Sequence, residues 1–181
     1  VTQGLAVGTP GPGLIHTYLF EEEHGLRAVT DSTPIIRHLE EMVPNRSVLP
    51  EDPALAFIDY LIEDFADEWC TKYMFHYRWY PKLDADNAGT LLPYSFDVSL
   101  PKDGHDQLKQ WVAERQISRL YVVGSNDTTA PVIDASYRRF LAAMENHLAN
   151  QKFMLGNRPG AGDFGLYGQL TQLVGFDPTP R

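Results

Sequence analysis

The chain has 181 residues, 43% of them apolar, a net charge of −9 and a single cysteine, Cys70. That length fits one large domain or two small ones with a real core. An acidic chain with no cluster of Lys and Arg argues against nucleic acid and anionic membrane as partners, and a lone cysteine excludes an internal disulfide and fits a reducing compartment. No run reaches the ~18 apolar residues of a membrane span, and the first residues lack the basic and apolar regions of a signal peptide. The expectation is a cytoplasmic protein that acts on small molecules or other proteins.

Residues 1–13, which end in Gly8-Thr9-Pro10-Gly11-Pro12-Gly13, carry too much glycine and proline for a helix or central strand and read as loop. No Lys-Ser or Lys-Thr follows them and no helix opens there, so they do not read as a phosphate loop. Leu14–Phe20 and Leu26–Thr30 are two short β-type runs separated by Glu21-Glu22-Glu23-His24-Gly25, the pattern of a β-hairpin. Thr30-Asp31-Ser32-Thr33-Pro34 then leads into a helix with Ile35, Ile36, Leu39 and Met42 on one side. A helix start carries backbone N–H groups without internal partners and the positive end of the macrodipole. Asp31 and Ser32 are therefore either a simple N-cap or part of a site for a carboxylate or phosphate.

Residues 43–53 hold three prolines, Pro44, Pro50 and Pro53, and continue no regular structure. The predicted organisation is a first domain over 1–43, a linker over 44–53 and a second domain over 54–181. Asp52 and Pro53 form a helix start. Leu55, Ile58, Leu61, Ile62, Phe65 and Trp69 keep helical spacing, with Asp59, Glu63, Asp64, Asp67 and Glu68 on other faces, and the helix is predicted to run to about Tyr80. Its last part is dense in aromatic residues, which suits core or interface first and a pocket wall second. Cys70 in that stretch reads as a small core residue.

Pro81–Asp106, broken by Gly89, Pro93, Pro101 and Gly104, is expected to be irregular with at most a short helical turn. Leu108–Leu120 regains helical spacing, and Ser125-Asn126-Asp127-Thr128-Thr129 with Pro131 opens a helix whose apolar face is Ile133, Tyr137, Phe140, Leu141, Met144 and Leu148. Asp163, three residues after Gly160, can cap a final helix as half of a capping box whose Ser or Thr is replaced by glycine. Gly162, Gly165 and Gly168 weaken that helix by up to about 1 kcal/mol each relative to alanine, which predicts close packing in the middle of a bundle. His16, His24, His38, His76, His105 and His147 are scattered, with no metal-ligand spacing, so no metal is expected.

The Asp31-Ser32 strand-to-helix turn, the proline-rich linker, the all-helical region and Phe153-Met154-Leu155-Gly156-Asn157-Arg158-Pro159 with Asp163-Phe164 stand in the order seen in glutathione S-transferases, and the chain resembles that family. The resemblance implies an α+β, mostly helical fold: a partial thioredoxin-like β-hairpin plus helix, then an all-α helical-bundle domain. It implies that Asp31 and Ser32 bind the γ-glutamyl end of glutathione, that Asp163 is a structural cap, and that the protein is a homodimer with helix 54–80 as one contributor to the interface. The family carries more residues before the Asp-Ser turn, including a thiol-activating Tyr, Ser or Cys that residues 1–30 do not match. By count, Thr17 stands where the family has a cis-proline, and Pro12 comes too early. An incomplete chain is the expected reason.

Two functions follow. The first is an enzyme that binds glutathione as co-substrate and transfers its thiolate to a small electrophile, with Tyr73, His76, Tyr77 and Tyr80 contributing to the second-substrate pocket and an activating residue that the sequence does not name. The alternative is a non-catalytic transferase-like module for binding or assembly.

Overall fold

The computed structural model describes residues 17–22, 25–43, 45 and 47–181. The readings made above for 1–13, for Leu14–His16 and for Glu23-His24 lie outside the described residues. The chain divides into two compact units between Val48 and Leu49.

In the first unit β1 (Tyr18–Glu22) and β2 (Gly25–Val29) pair antiparallel, with Tyr18 opposite Val29 and Glu22 opposite Gly25. Gly25 takes φ 129°, which a residue with a Cβ adopts only with strain. The helix α1 (Ser32–Met42) follows. A two-stranded hairpin is marginal alone and needs a helix against its apolar side. Phe20 and Ile35 are the buried apolar residues here, and the Phe20 ring meets the His38 ring edge-on at 4.4 Å. Arg27 ties the layers, with Glu22 at 2.5 Å on the strand side and His38 Nδ1 at 3.1 Å on the helix. Glu40 of α1 accepts the Val48 N–H at 2.9 Å and the Ser47 hydroxyl.

The second unit is helical throughout. Its helices are α2 (Pro53–Phe65), α3 (Thr71–Trp79), α4 (Lys82–Leu91), α5 (Lys102–Ile117), α6 (Ala130–Leu148) and α7 (Ala161–Phe176). Asp52 caps α2 by accepting the Ala54 and Leu55 N–H groups at 3.0 and 2.9 Å, with Pro53 in the first turn. The helix expected to run to about Tyr80 is continuous from Pro53 to Trp79, with a π-type turn at Ala66–Cys70 between α2 and α3. Ala66 and Cys70 are both fully buried there. Together with Tyr73, Tyr77, Tyr137, Leu166 and Leu173 they form the main core.

Pro81–Asp106 is not irregular. It holds α4, a 3-10 turn at Leu92–Ser95 and the start of α5. The buried residues of α4 are Asp84, Ala85, Ala88 and Gly89, so its apolar stripe is faint in the sequence. A Cβ on Gly89 would stand 3.3 Å from Lys109 Cγ and 3.7 Å from Ala113 Cβ, so the missing side chain lets α5 come close.

The largest departure concerns α2. Its buried residues are Asp59 and Glu63, while Leu55, Phe57, Ile58, Tyr60 and Leu61 are exposed. The cause lies at the start of α7. Asp59 accepts the N–H groups of Ala161 and Gly162, each at 3.1 Å, from the neighbouring helix. Asp163 accepts the N–H of Gly160 at 2.9 Å with one oxygen and that of Met154 at 2.9 Å with the other. The hydroxyl that glycine cannot offer at position 160 is replaced by a carboxylate from α2. Gly160 has to be glycine, since its Cβ would fall 2.4 Å from Asp59 Oδ1, and a Cβ on Gly162 would fall 2.6 Å from Ile62 Cγ2. A Cβ on Gly168 would meet nothing within 4 Å, so the close packing expected for it is absent.

After α7 the chain turns back under α3 and α4. Arg78 donates to both oxygens of the buried Asp177, from Nε at 3.1 Å and from Nη2 at 3.0 Å, and its guanidinium lies 4.5 Å from the Phe176 ring. Burial raises the Asp177 carboxyl above its ordinary value, opposed by Arg78. Asp84 accepts the Thr179 N–H at 2.8 Å and its hydroxyl.

Candidate functional site

In the first unit, Asp31 and Ser32 stand together where β2 gives way to α1. Asp31 takes φ 78° and ψ 130°, outside the regions that a residue with a Cβ normally occupies. Such a conformation costs about 1–3 kcal/mol and persists where its surroundings enforce it, often at ligand sites. Its Oδ1 accepts the Thr33 N–H at 3.0 Å. Ser32, the first residue of α1, is exposed beside it. The pair thus presents a carboxylate and a hydroxyl to solvent at the positive end of a helix. A carboxylate suits an ammonium group, and a hydroxyl at a helix start suits a carboxylate.

In the second unit Tyr73, His76, Tyr77 and Tyr80 share one side of α3 and its last turn, at the spacing that puts helical side chains on one face. The Tyr73 and Ser136 hydroxyls share a hydrogen bond of 2.7 Å, and His76 Nδ1 lies 2.7 Å from Ser125 Oγ. Tyr77 donates to Asp134 Oδ1 at 2.7 Å and Tyr80 to Asp127 Oδ1 at 2.8 Å. The polar ends of all four are engaged in holding α3 to α6 and to the turn before it. Tyr73, His76 and Tyr77 are buried, whereas Tyr80 is half-buried and stacks on His76 with ring centroids 4.9 Å apart.

Burial lowers the His76 pKa from its ordinary value, with Asp134 opposing, so His76 is neutral at pH 7. Burial first, then the hydrogen bond to Asp134, raises the Tyr77 phenol. Asp134 is held below the usual carboxylate range by Arg138, which donates to it at 2.8 Å, and then by Tyr77. Cys70 is fully buried, and burial followed by the charge of Asp67 pushes its thiol up to about 12, so it offers no thiolate near neutral pH.

Asp163 spends both oxygens on backbone N–H groups at the head of α7. Among the described residues no group of three His, Cys, Asp or Glu could hold a metal ion, and no helix is long and apolar enough to cross a membrane.

Sequence reasoning missed Asp59, the residue that organises the α2–α7 contact. The one available signal was the half-finished capping box at Gly160, which required a second acceptor from elsewhere. Ser125, Asp127 and Asp134, the partners of the α3 side chains, left no signal beyond helix-start composition.

Residues 109–180 match the family model described as Glutathione S-transferase, C-terminal domain. No curated protein and no solved structure matches the chain. The matched residues run from within α5 through α6 to the tail after α7, and so take in the capped helix start and Tyr137, Leu166 and Leu173 of the main core. Through them the helical unit is similar to the C-terminal domain of glutathione S-transferases.

Proposed function

We propose that this protein binds glutathione through Asp31 and Ser32 and transfers its thiolate to a small apolar electrophile. The observation that carries the reading is the exposed, backbone-strained Asp31-Ser32 turn at the start of α1 in a chain whose helical unit is of the glutathione S-transferase kind. The γ-glutamyl end of glutathione is an amino acid, with an ammonium for Asp31 and a carboxylate for the Ser32 hydroxyl and the helix start. Of the four α3 residues, Tyr80 is the one with surface left to meet an electrophile, while Tyr73, His76 and Tyr77 set the angle of its helix. The protein acts as a homodimer through α2, whose exposed Leu55, Phe57, Ile58, Tyr60 and Leu61 suit a self-complementary apolar contact.

The test is thermal melting with increasing glutathione. Glutathione at a hundred times its dissociation constant stabilises the native state by about 2.7 kcal/mol. A saturable upward shift in Tm that Ser32→Ala weakens is the expected result. No shift at millimolar glutathione would leave the chain as a non-catalytic module. Sedimentation of the wild type against Leu61→Glu checks the dimer, the expected outcome being dissociation of the variant.

A further inference from the structure

After α7 the chain lies as a strap against α3 and α4, fastened by polar bonds. Asn87 Nδ2 on α4 donates to the Phe176 carbonyl at 3.0 Å, and Arg78 on α3 holds Asp177. Thr179 gives its N–H to one oxygen of Asp84 on α4, at 2.8 Å, and its hydroxyl to the other. Asp84 and Asp177 are both fully buried.

A buried carboxylate is costly unless it is paired and hydrogen-bonded. Asp177 has a guanidinium beside it. Asp84 has no ion-pair partner among the described residues, and its hydrogen bonds come from Thr179 alone. The charge of Asp84 also reaches Asp177, where it adds to burial in raising the carboxyl, against the pull of Arg78. One residue of the strap thus caps one buried charge close to a second. That residue is exposed and is followed by Pro180. Thr-Pro is the dipeptide that proline-directed protein kinases modify, and they take it up as extended chain. Thr33-Pro34 sits in the first turn of α1, whereas Thr179-Pro180, with Pro178 before it, lies outside every helix and strand.

We propose that Thr179 is a phosphorylation site and that the phosphate releases the strap from α4. In the kinase the Thr179 hydroxyl attacks the γ-phosphorus of ATP. The Oγ1–P bond forms as the bond to the β–γ bridging oxygen breaks, ADP leaves, and the hydroxyl proton passes through the kinase's base to solvent. A donor to Asp84 is thereby replaced by a group of about −1.5 to −2 charge near pH 7 that brings strong acceptor oxygens. It stands against a buried carboxylate that has no cation of its own, and such like charges repel strongly away from water. The strap yields, since it belongs to no helix, while Asp84 is fixed within α4.

The test treats the whole chain with a purified mitogen-activated protein kinase and MgATP and locates the phosphate by fragmentation mass spectrometry. A phosphoryl group on Thr179 is expected in the wild type and in Thr179→Ser, and none at position 179 in Thr179→Val. Hydrogen exchange of the residue 179 amide, followed by nuclear magnetic resonance, reads the strap. Its protection is expected to fall at least about tenfold on phosphorylation, as the bond to the Asp84 carboxylate is lost. Thr179→Glu against Thr179→Gln separates charge from size, with protection at least about tenfold lower in the glutamate variant. Phosphate at Thr33 or Thr9 with none at Thr179 overturns the proposal. So does phosphate at Thr179 with unchanged protection, as when Arg181 pairs with it in place, or equal protection in the glutamate and glutamine variants.

Discussion

The starts of α1 and α7 face the same physical problem, a row of backbone N–H groups with no intrahelical acceptor, and solve it in opposite ways. At α7 two carboxylates, Asp59 from another helix and Asp163 from within, take the N–H groups of Gly160, Ala161 and Gly162 in a buried setting. At α1 one carboxylate, Asp31, takes the N–H of Thr33 from an exposed and strained position, with Ser32 exposed beside it. A helix start is available to a ligand only where the protein has not already filled it. The α7 start is filled by buried carboxylates, whereas the α1 start lies at the surface, where we propose that glutathione binds.

The strongest way to break this contrast is Asp59→Ala. It leaves two buried donors without an acceptor and is expected to lower stability by about 3–5 kcal/mol in a urea titration. A loss below about 1 kcal/mol would show that the α7 start does not depend on α2. Gly162→Ala presses a Cβ into Ile62 and is expected to cost about 1–3 kcal/mol, read as a lowered melting point.

His76 sharpens the comparison through pH. Its folded pKa lies below the ordinary 6.5, so the unfolded chain takes up the proton first. The native contribution is fully present above about 6.5 and is lost as pH falls toward the lowered folded value. The groups that face His76 are Ser125, Tyr77, Tyr80 and the charge of Asp134. Urea midpoints from pH 8 to pH 5 are expected to fall more steeply for the wild type than for His76→Gln, and parallel curves would count against a buried neutral histidine.

At α1, Asp31→Gly removes the strain and the cap together. These offset to within about 1 kcal/mol of stability, while the melting shift with glutathione is expected to vanish. A retained shift would separate binding from the Asp31 carboxylate. The smallest effect is expected at Gly168→Ala, which has open space for its Cβ and should gain about 0.5–1 kcal/mol.

Much of this architecture is legible in the amino-acid order because local chemistry and tertiary structure agree there. Asp31 ahead of α1, Asp52-Pro53 ahead of α2 and the apolar side of α6 appear where the pattern predicts them, and the hairpin forms with Glu21, Glu22 and Gly25, expected in its turn, paired in its strands instead. Two parts resist reading. The helix α4 hides because its buried residues are an aspartate, two alanines and a glycine, which make no apolar stripe of large side chains. The helix α2 misleads because its most apolar residues face outward and its carboxylates face in, an inversion set by a helix start more than a hundred positions away. Periodicity reports which residues could be buried; it is silent on which backbone needs an acceptor. At the candidate site the composition of Asp31-Ser32 could be read, but the strained backbone of Asp31 could not, since nothing local in Thr30-Asp31-Ser32 demands a positive φ.

The bond between Asp59 and the head of α7 spans 102 residues of chain. Its formation has to wait until α2 and α7 have met, after the whole of α3 to α6 has been traversed. Contacts of such separation form late because the loop between them must be closed first. The first turn of α7 is therefore among the last parts of the helical unit to set, and substitutions at Asp59 should quicken unfolding far more than they slow refolding.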